Sequence, residues 1–181
     1  TTGEKKGAFR HLEISGEPGH GSRPYRSDNA LVKAAKIVTR MTEYEIAPKL
    51  DDMFRERVRA LGLGAEMEDK LLDPDQVDAA LASLPRGTAS NLHSCCQMSF
   101  SPNMVNSGEK ANTVPDRADL YVDIRVLPSE TQDDADRHLR AIIGEDLLPS
   151  VKINRLFDSP DGPSMSSTDT PLWSALTDSV Q

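Results

Sequence analysis

The sequence predicts an α+β domain in which helices cover one face of an antiparallel sheet. Residues 118–126 alternate strictly between apolar and polar side chains, which is the pattern of a strand with one buried face. Residues 30–41 and 135–143 instead repeat their apolar side chains at helical spacing. Shorter segments at residues 7–15 and 151–157 mix or alternate apolar and polar side chains and are predicted to supply further strands.

A tightly shaped loop separates the first strand, residues 7–15, from the first helix. Residues 16–24 contain three glycines and two prolines, a composition that excludes regular structure. Ser27 is expected to cap the helix that follows, with Asp28 in its first turn, where the helix dipole favours an anion.

A helical insertion is predicted at about residues 43–88, after the first helix. This block is highly charged, and two helical stripes of apolar side chains lie within it. The second stripe follows Asp73 and Pro74, which suit the cap and the first position of a helix. Pro85 and Gly87 are expected to end it.

The remaining elements complete the order β-α-β-β-α-β. Residues 95–107 are predicted to be extended, and residues 108–111 join them as a hairpin to a strand at 112–127. Thr131 and Asp134 suit a capping box at the start of the second helix. This order predicts the ferredoxin-like plan, a four-stranded antiparallel sheet with both helices on one face.

Composition argues against several classes of partner. The net charge of −8 disfavours nucleic acid and anionic membranes, because both attract clustered Lys and Arg. No apolar run approaches the roughly 20 residues needed to span a bilayer. Cys95 and Cys96 are the only cysteines, and adjacent cysteines rarely pair, so a reducing, cytoplasmic setting is expected.

A self-contained active site is not evident in the sequence. The four histidines form neither a His-Glu-x-x-His pair nor another familiar zinc spacing. A phosphate-binding loop and a nucleophile elbow are also missing. We therefore expect this chain to hold no metal ion and no cofactor.

Three residues are candidates for chemistry: His20, Asn112 and Arg125. His20 lies between glycines in the loop, where it can donate a hydrogen bond to a developing oxyanion or simply bond a nearby carbonyl. Arg125 lies on the polar face of its strand beside Asp123, and suits either an ion pair or a two-pronged grip on a carboxylate. Asn112 precedes that strand, a position that suits a turn residue as well as a ligand contact.

Two blocks of sequence resemble a known family. Residues 19–24 read Gly-His-Gly-Ser-Arg-Pro and are followed by Asn29-Ala30. They are similar to the Gly-His-x-Ser-x-Pro…Asn-Ala signature of the aminoacylase, carboxypeptidase G and succinyl-diaminopimelate desuccinylase metallopeptidases, peptidase family M-20. The segment from Asn112 to Arg125 resembles the Asn-x-x-Pro…Asp-x-Arg segment of the same family. The long helical insertion resembles that of its dipeptidase-like branch.

The resemblance implies that residues 7–158 are the lid, or dimerisation, domain of an enzyme with two zinc ions in a separate catalytic domain. Residues 159–181 would then be a linker and the return into that domain. Two lids would pair through their sheet edges in a homodimer. His20 would polarise the scissile carbonyl in the partner subunit's site, while Asn112 and Arg125 would hold a small peptide or N-acyl amino acid. The fragment alone is then expected to be inactive.

Two other hypotheses remain open. Ferredoxin-like domains also bind small ligands or mediate assembly, so a stand-alone binding or assembly module fits the same pattern. A free-standing hydrolase that uses His20 with Ser22 is the other, although a third, orienting group is not evident. Saturable binding of an amino acid favours the module, and hydrolysis of activated esters favours the hydrolase.

Overall fold

The structure is a computed structural model that describes residues 3–156, 164–167 and 169–179. The strands and helices run in the order β1 (Gly3–Glu4), β2 (Lys6–Gly7), β3 (Arg10–Ser15), β4 (Gly19–His20), α1 (Ala30–Glu43), α2 (Asp52–Ala60), α3 (Ala65–Leu71), α4 (Val77–Ser83), α5 (Arg86–Cys96), β5 (Ser99–Ser107), β6 (Thr113–Val114), β7 (Arg117–Val126), α6 (Gln132–Ile143), β8 (Val151–Arg155), β9 (Ser164–Met165) and α7 (Pro171–Asp178). The predicted strand end at Phe157 and domain end at 158 lie outside the described residues.

The central sheet has four antiparallel strand positions (lanes) in the order β5-β7-β3-β8, and the short strand β2 shares a lane with β3. Arg125 of β7 faces Ser99 of β5 on one side and Gly7 of β2 on the other. β2 therefore lies in the same lane as β3, and the Ala8 N–H bridges the two by donating to the Ile124 carbonyl at 2.7 Å. This strand order confirms the predicted α+β, ferredoxin-like sheet.

Helices α1 and α6 pack against each other and against one face of this sheet, as predicted. The inward side chains of β7 alternate with polar ones, and all are buried: Ala118, Leu120, Val122, Ile124 and Val126. The buried stripes of the two helices are the predicted ones: Ala30, Ala34, Ile37 and Met41, then Ala135, Leu139, Ile142 and Ile143. Burial of one large aliphatic side chain contributes about 1.5–3 kcal/mol, so this interior is the main source of stability.

Helix α1 begins later than the sequence predicted. The cap is Asn29, whose side-chain oxygen accepts hydrogen bonds from the N–H groups of Leu31 and Val32. The predicted cap at Ser27 is wrong: Ser27 lies in a turn that precedes the helix, where its N–H donates to the Pro24 carbonyl. That turn keeps the chain non-helical up to Asn29, which then satisfies the first free N–H groups.

Helix α6 begins with the predicted capping box. The Thr131 hydroxyl accepts from the Asp134 N–H, and the Asp134 carboxylate accepts from the Thr131 N–H at 2.8 Å. Hydrogen bonds from the Thr131 hydroxyl, then from its N–H and from Arg137, lower the pKa of Asp134 to about 2.

Replacing Asp134 with alanine is expected to lower the free energy of unfolding by about 1 kcal/mol at neutral pH. Because the pKa of Asp134 is depressed in the folded state, this contribution is complete above the unfolded pKa of roughly 4. It is lost as the pH falls towards about 2. Urea unfolding at several pH values should therefore show wild type and Asp134→Ala converging below pH ~4. Asp134→Asn, which keeps an acceptor oxygen, should be more stable than Asp134→Ala. Because neither side chain titrates, the difference in stability between these two variants should not change with pH.

The helical insertion folds around a second small core. Helices α2 to α5 bury one set of apolar side chains between them: Phe54, Val58, Leu71, Val77, Ala80, Leu81, Leu92 and Cys96. The sequence does not predict helix α5, because Pro85 and Gly87 are typical signals for the end of a helix. Pro85 instead stands immediately before the first residue of α5, where its fixed φ suits a helix start. The extended segment consequently begins at Ser99 rather than at residue 95.

One buried arginine links the sheet to α6. The Arg10 side chain of β3 is fully buried, and its Nε donates to Asp136 at 2.6 Å. Its Nη2 donates to the side-chain oxygen of Gln132 at 2.8 Å. Arg155 of β8 binds the other oxygen of Asp136, so one carboxylate joins β3, β8 and α6.

The segments before and after the sheet lie side by side. β1 pairs with β9 in antiparallel fashion, with Gly3 opposite Met165. Thr170 caps α7 by accepting from the Trp173 N–H. Within the described residues, none of the helices combines the length and the apolar character needed to cross a membrane.

Candidate functional site

A short ladder places His20 beside Asn112. β4 pairs with β6, so that His20 lies opposite Thr113 and Gly19 opposite Val114. The Gly21 N–H donates to the Asn112 carbonyl at 2.7 Å, which extends the ladder by one residue. Two sequence blocks about 90 positions apart are thereby held at one end of the domain, and both candidate side chains belong to exposed residues.

Glycines at two positions of the loop allow close approach to neighbouring backbone. A Cβ atom at Gly21 would lie 3.0 Å from the backbone carbonyl of Asn112. A Cβ atom at Gly16 would lie only 2.3 Å from the Asp28 carbonyl oxygen, where backbone cannot yield cheaply. The absence of side chains at these two positions allows the loop to lie against both the ladder and the start of α1.

The His20 imidazole is held by the residue two positions further on. Its Nδ1 lies 2.8 Å from the Ser22 hydroxyl and accepts a hydrogen bond from the Ser22 N–H at 3.2 Å. The Arg23 N–H closes the same turn by donating to the His20 carbonyl at 2.9 Å. Since Nδ1 is engaged with Ser22, Nε2 is the nitrogen that remains available to another partner.

Sequence reasoning missed the aromatic and cationic side chains that follow this turn. Tyr25 is 82% exposed, and the Arg26 guanidinium lies 5.2 Å from the centre of its ring. Arg26 also has a φ of 56°, a left-handed conformation that is uncommon for a residue with a side chain. Neither residue belongs to the two blocks quoted above, so no sequence signal pointed to them.

Arg125 lies at the other end of the sheet. β7 begins at Arg117, three residues after the ladder strand β6 ends at Val114. Arg125 is eight residues further along β7, roughly 26 Å away at about 3.3 Å per residue. The Arg125 guanidinium pairs with Asp123 at 2.8 Å and lies 5.3 Å from the centre of the Phe9 ring. The structure therefore brings His20 and Asn112 together but does not bring Arg125 to them within one chain.

The polar face of the sheet between these ends is an ion-pair network. His11 lies 2.7 Å from Asp119 and stacks on Tyr121, with the ring centres 4.6 Å apart. The Arg117 guanidinium holds the pKa of Asp119 below its usual range, and the hydrogen bond from His11 acts in the same direction. These charges satisfy one another, so this face is largely structural.

An open groove lies beside the ladder. Its volume is about 550 Å³, and its walls come from the hairpin connection and the loop near Pro18. Asn106, Lys110, Thr113 and Arg117 supply polar atoms to its lining. In the part of the chain that the structure describes, three or more His, Cys, Asp or Glu side chains nowhere converge as a metal site requires.

The family model of the peptidase dimerisation domain matches residues 2–151. The chain belongs to this family, the dimerisation domains of the M20 peptidases. The match includes the first five elements of the ferredoxin-like plan (β3, α1, β5, β7 and α6), the helical insertion, and both the His20 and the Asn112 blocks. A search of curated proteins gives no significant match.

Solved structures of M20 enzymes share this fold. An M20 metallo-carboxypeptidase from Sulfolobus solfataricus aligns over 98% of the chain with a TM-score of 0.64 and 14% identity. Human carnosine dipeptidase 1 aligns over 99% with a TM-score of 0.62 and 11% identity. The dipeptidase Dug1p from Saccharomyces cerevisiae aligns over 97% with a TM-score of 0.58 and 16% identity. The aligned region covers 49%, 42% and 40% of these chains, so the dimerisation domain spans about half of their length or less.

Proposed function

We propose that the chain is the dimerisation and substrate-capping domain of a two-zinc peptidase or amidohydrolase. Its substrate would be a small peptide or an N-acyl amino acid. The observation that carries the proposal is the ladder that fixes His20 beside Asn112 in a peptidase dimerisation domain. The pairing of β1 with β9 supports a lid whose two connections leave side by side, with residues 159–181 leading into a catalytic domain.

In this proposal a catalytic domain outside this chain holds the zinc ions, which is consistent with the lack of a converging set of metal ligands among the described residues. When bound there, they supply an activated water for attack on the carbonyl. This chain contributes hydrogen bonds: Nε2 of His20 donates to the oxygen on which negative charge develops. The Asn112 side chain would bind an amide or carboxylate of the same substrate; Asn112 is one residue before Thr113, which pairs with His20 in the ladder.

Arg125 serves a different active site from His20 in this proposal. The roughly 26 Å between the two ends of β7 exceeds the length of a dipeptide, so one bound substrate does not touch both residues of one chain. A homodimer resolves this, because each active site can receive His20 and Asn112 from one lid and Arg125 from the other. Arg125 would exchange Asp123 for a substrate carboxylate, a group that a guanidinium grips with two nitrogen atoms.

Strand β5 is the edge that we propose pairs with a second copy. Residues 103–106 in its second half are exposed, including Met104 at 50% and Val105 at 48%. Leu31 and Val32 of α1, the helix that packs beside β5, are also exposed and extend the apolar surface. The opposite edge, β8, carries charged Lys152, which disfavours strand pairing. Antiparallel pairing of two β5 strands would satisfy both free edges at once.

Zinc content, solution mass and hydrolytic activity of the 181-residue chain test this proposal together. The expected result is a zinc-free dimer that hydrolyses neither dipeptides nor N-acetyl amino acids, alongside a full-length protein that hydrolyses members of the same panel. Met104→Lys should give monomers, whereas Leu61→Lys, at an exposed position of the insertion, should leave the dimer intact. Stoichiometric zinc in the isolated chain, or hydrolysis by it, would overturn the assignment.

The proposal includes a reducing, cytoplasmic setting. Cys95 and Cys96 are both free thiols. Burial, with smaller effects of Cys95 and Asp78, raises the pKa of Cys96 to about 12. Such a thiol is not a nucleophile near neutral pH, so Cys96 acts as a small apolar side chain of the insertion core.

A stand-alone module that binds small ligands is the second candidate. The groove of about 550 Å³ beside the ladder is large enough for an amino acid and carries both charged and amide side chains. Isothermal titration of the isolated chain with a panel of free amino acids distinguishes the two candidates. Saturable binding that Lys110→Ala abolishes would favour the module over the lid.

A further inference from the structure

The Nδ1 atom of His20 faces two groups of Ser22. The backbone N–H of Ser22 donates to it at 3.2 Å, and the Ser22 hydroxyl oxygen lies 2.8 Å away. A backbone N–H has no lone pair and cannot accept. A proton on Nδ1 would therefore point at another proton, whereas a lone pair on Nδ1 satisfies the N–H and can also receive the hydroxyl proton.

The loop itself creates this contact. The Arg23 N–H donates to the His20 carbonyl, and the resulting turn carries Ser22 back over the imidazole. Pairing of Gly21 with Asn112 holds the other side of the turn against the ladder. Ser22 thus meets His20 in a turn anchored at both ends.

We propose that Ser22 is a positioning residue that fixes the tautomer of His20. A neutral imidazole carries one proton, and when Nδ1 accepts, that proton is on Nε2. The catalytic consequence rests on the function proposed above, since an oxyanion requires a donor. The opposite tautomer would present the Nε2 lone pair to the oxyanion and repel it.

The tautomer can be measured directly in the 181-residue chain. Nitrogen-15 NMR of the labelled imidazoles, at a pH where they are neutral, distinguishes a protonated Nε2 from a protonated Nδ1. His93 is exposed on α5 and gives an internal reference in the same spectrum. We expect the ratio of the Nε2–H to the Nδ1–H form to be higher for His20 than for His93.

Variants of Ser22 separate its two contacts. Ser22→Ala removes the hydroxyl and keeps the N–H, and should lower the tautomer ratio of His20 by about 2- to 10-fold, the worth of one hydrogen bond. Ser22→Thr keeps the hydroxyl and should restore the ratio. His93 should be unchanged in both variants. A His20 ratio equal to that of His93 in wild type, or unaltered by Ser22→Ala, would overturn the proposal.

Kinetics of the full-length enzyme separate this inference from the proposed function. If Ser22→Ala shifts the tautomer but His20→Ala leaves kcat unchanged, Ser22 positions His20 and the catalytic role of His20 fails. If His20→Ala lowers kcat but Ser22→Ala leaves the tautomer unchanged, the catalytic role stands and the positioning role fails. If Ser22→Ala shifts the tautomer and His20→Ala lowers kcat while KM is maintained, both are supported.

Discussion

Replacing His20 with alanine in the full-length enzyme is expected to lower kcat by about 10²–10³-fold, which is the usual effect of losing one oxyanion donor. The imidazole is exposed at the end of the ladder and is held through Nδ1, so in the proposed tautomer Nε2 would act as the donor. Removing the ring deletes that donor but leaves the turn, because the Arg23 N–H binds the His20 backbone carbonyl.

Two measurements isolate the role of His20 from folding and metal binding. Zinc content and thermal unfolding of His20→Ala should match wild type, since the proposed ligands lie in another domain and the side chain is exposed. His93→Ala removes an exposed histidine from the insertion and should leave kcat unchanged. Wild-type turnover in His20→Ala, or an equal loss in His93→Ala, would contradict the assignment.

Replacing Asp136 with alanine is expected to destabilise the domain by about 3–5 kcal/mol, because it leaves the buried Arg10 charge without its carboxylate. The Arg10 guanidinium is fully buried, and Asp136 lies 2.6 Å from its Nε. Gln132 and the Phe9 carbonyl would remain as acceptors, but neither carries a negative charge. Urea unfolding should show a lower midpoint with an unchanged slope.

Asp133→Ala is the matched control for this experiment. Asp133 lies on the same helix and also pairs with Arg155, but its side chain is 85% exposed. An exposed ion pair contributes about 0–1 kcal/mol, so this variant should unfold close to wild type. Equal effects of Asp133→Ala and Asp136→Ala would show that burial of Arg10 does not determine the cost. The double variant Arg10→Met with Asp136→Leu should recover part of the loss, since no unpaired charge stays buried at Arg10.

The sequence by itself determined the elements of the layered core. Alternation in β7 and the apolar stripes of α1 and α6 depend on local repeats of two and 3.6 residues, and burial in the structure follows both. The capping box of α6 is equally local, because Thr131 and Asp134 are three residues apart. The His20 and Asn112 blocks could likewise be found as motifs.

The tertiary structure alone decided how distant segments meet. Pro85 could equally end a helix or precede one, and in the structure it precedes α5. Ser27 could cap a helix, but it lies in a turn and Asn29 caps α1 instead. The surrounding turns and packing decide between these roles. Burial of Arg10 depends on Asp136, which is 126 residues away along the chain. The ladder joins His20 to Thr113, whereas the length of β7 keeps Arg125 at the far end. Local sequence repeats do not specify which distant segments contact each other. The distances between site residues are therefore fixed only when the sheet is assembled.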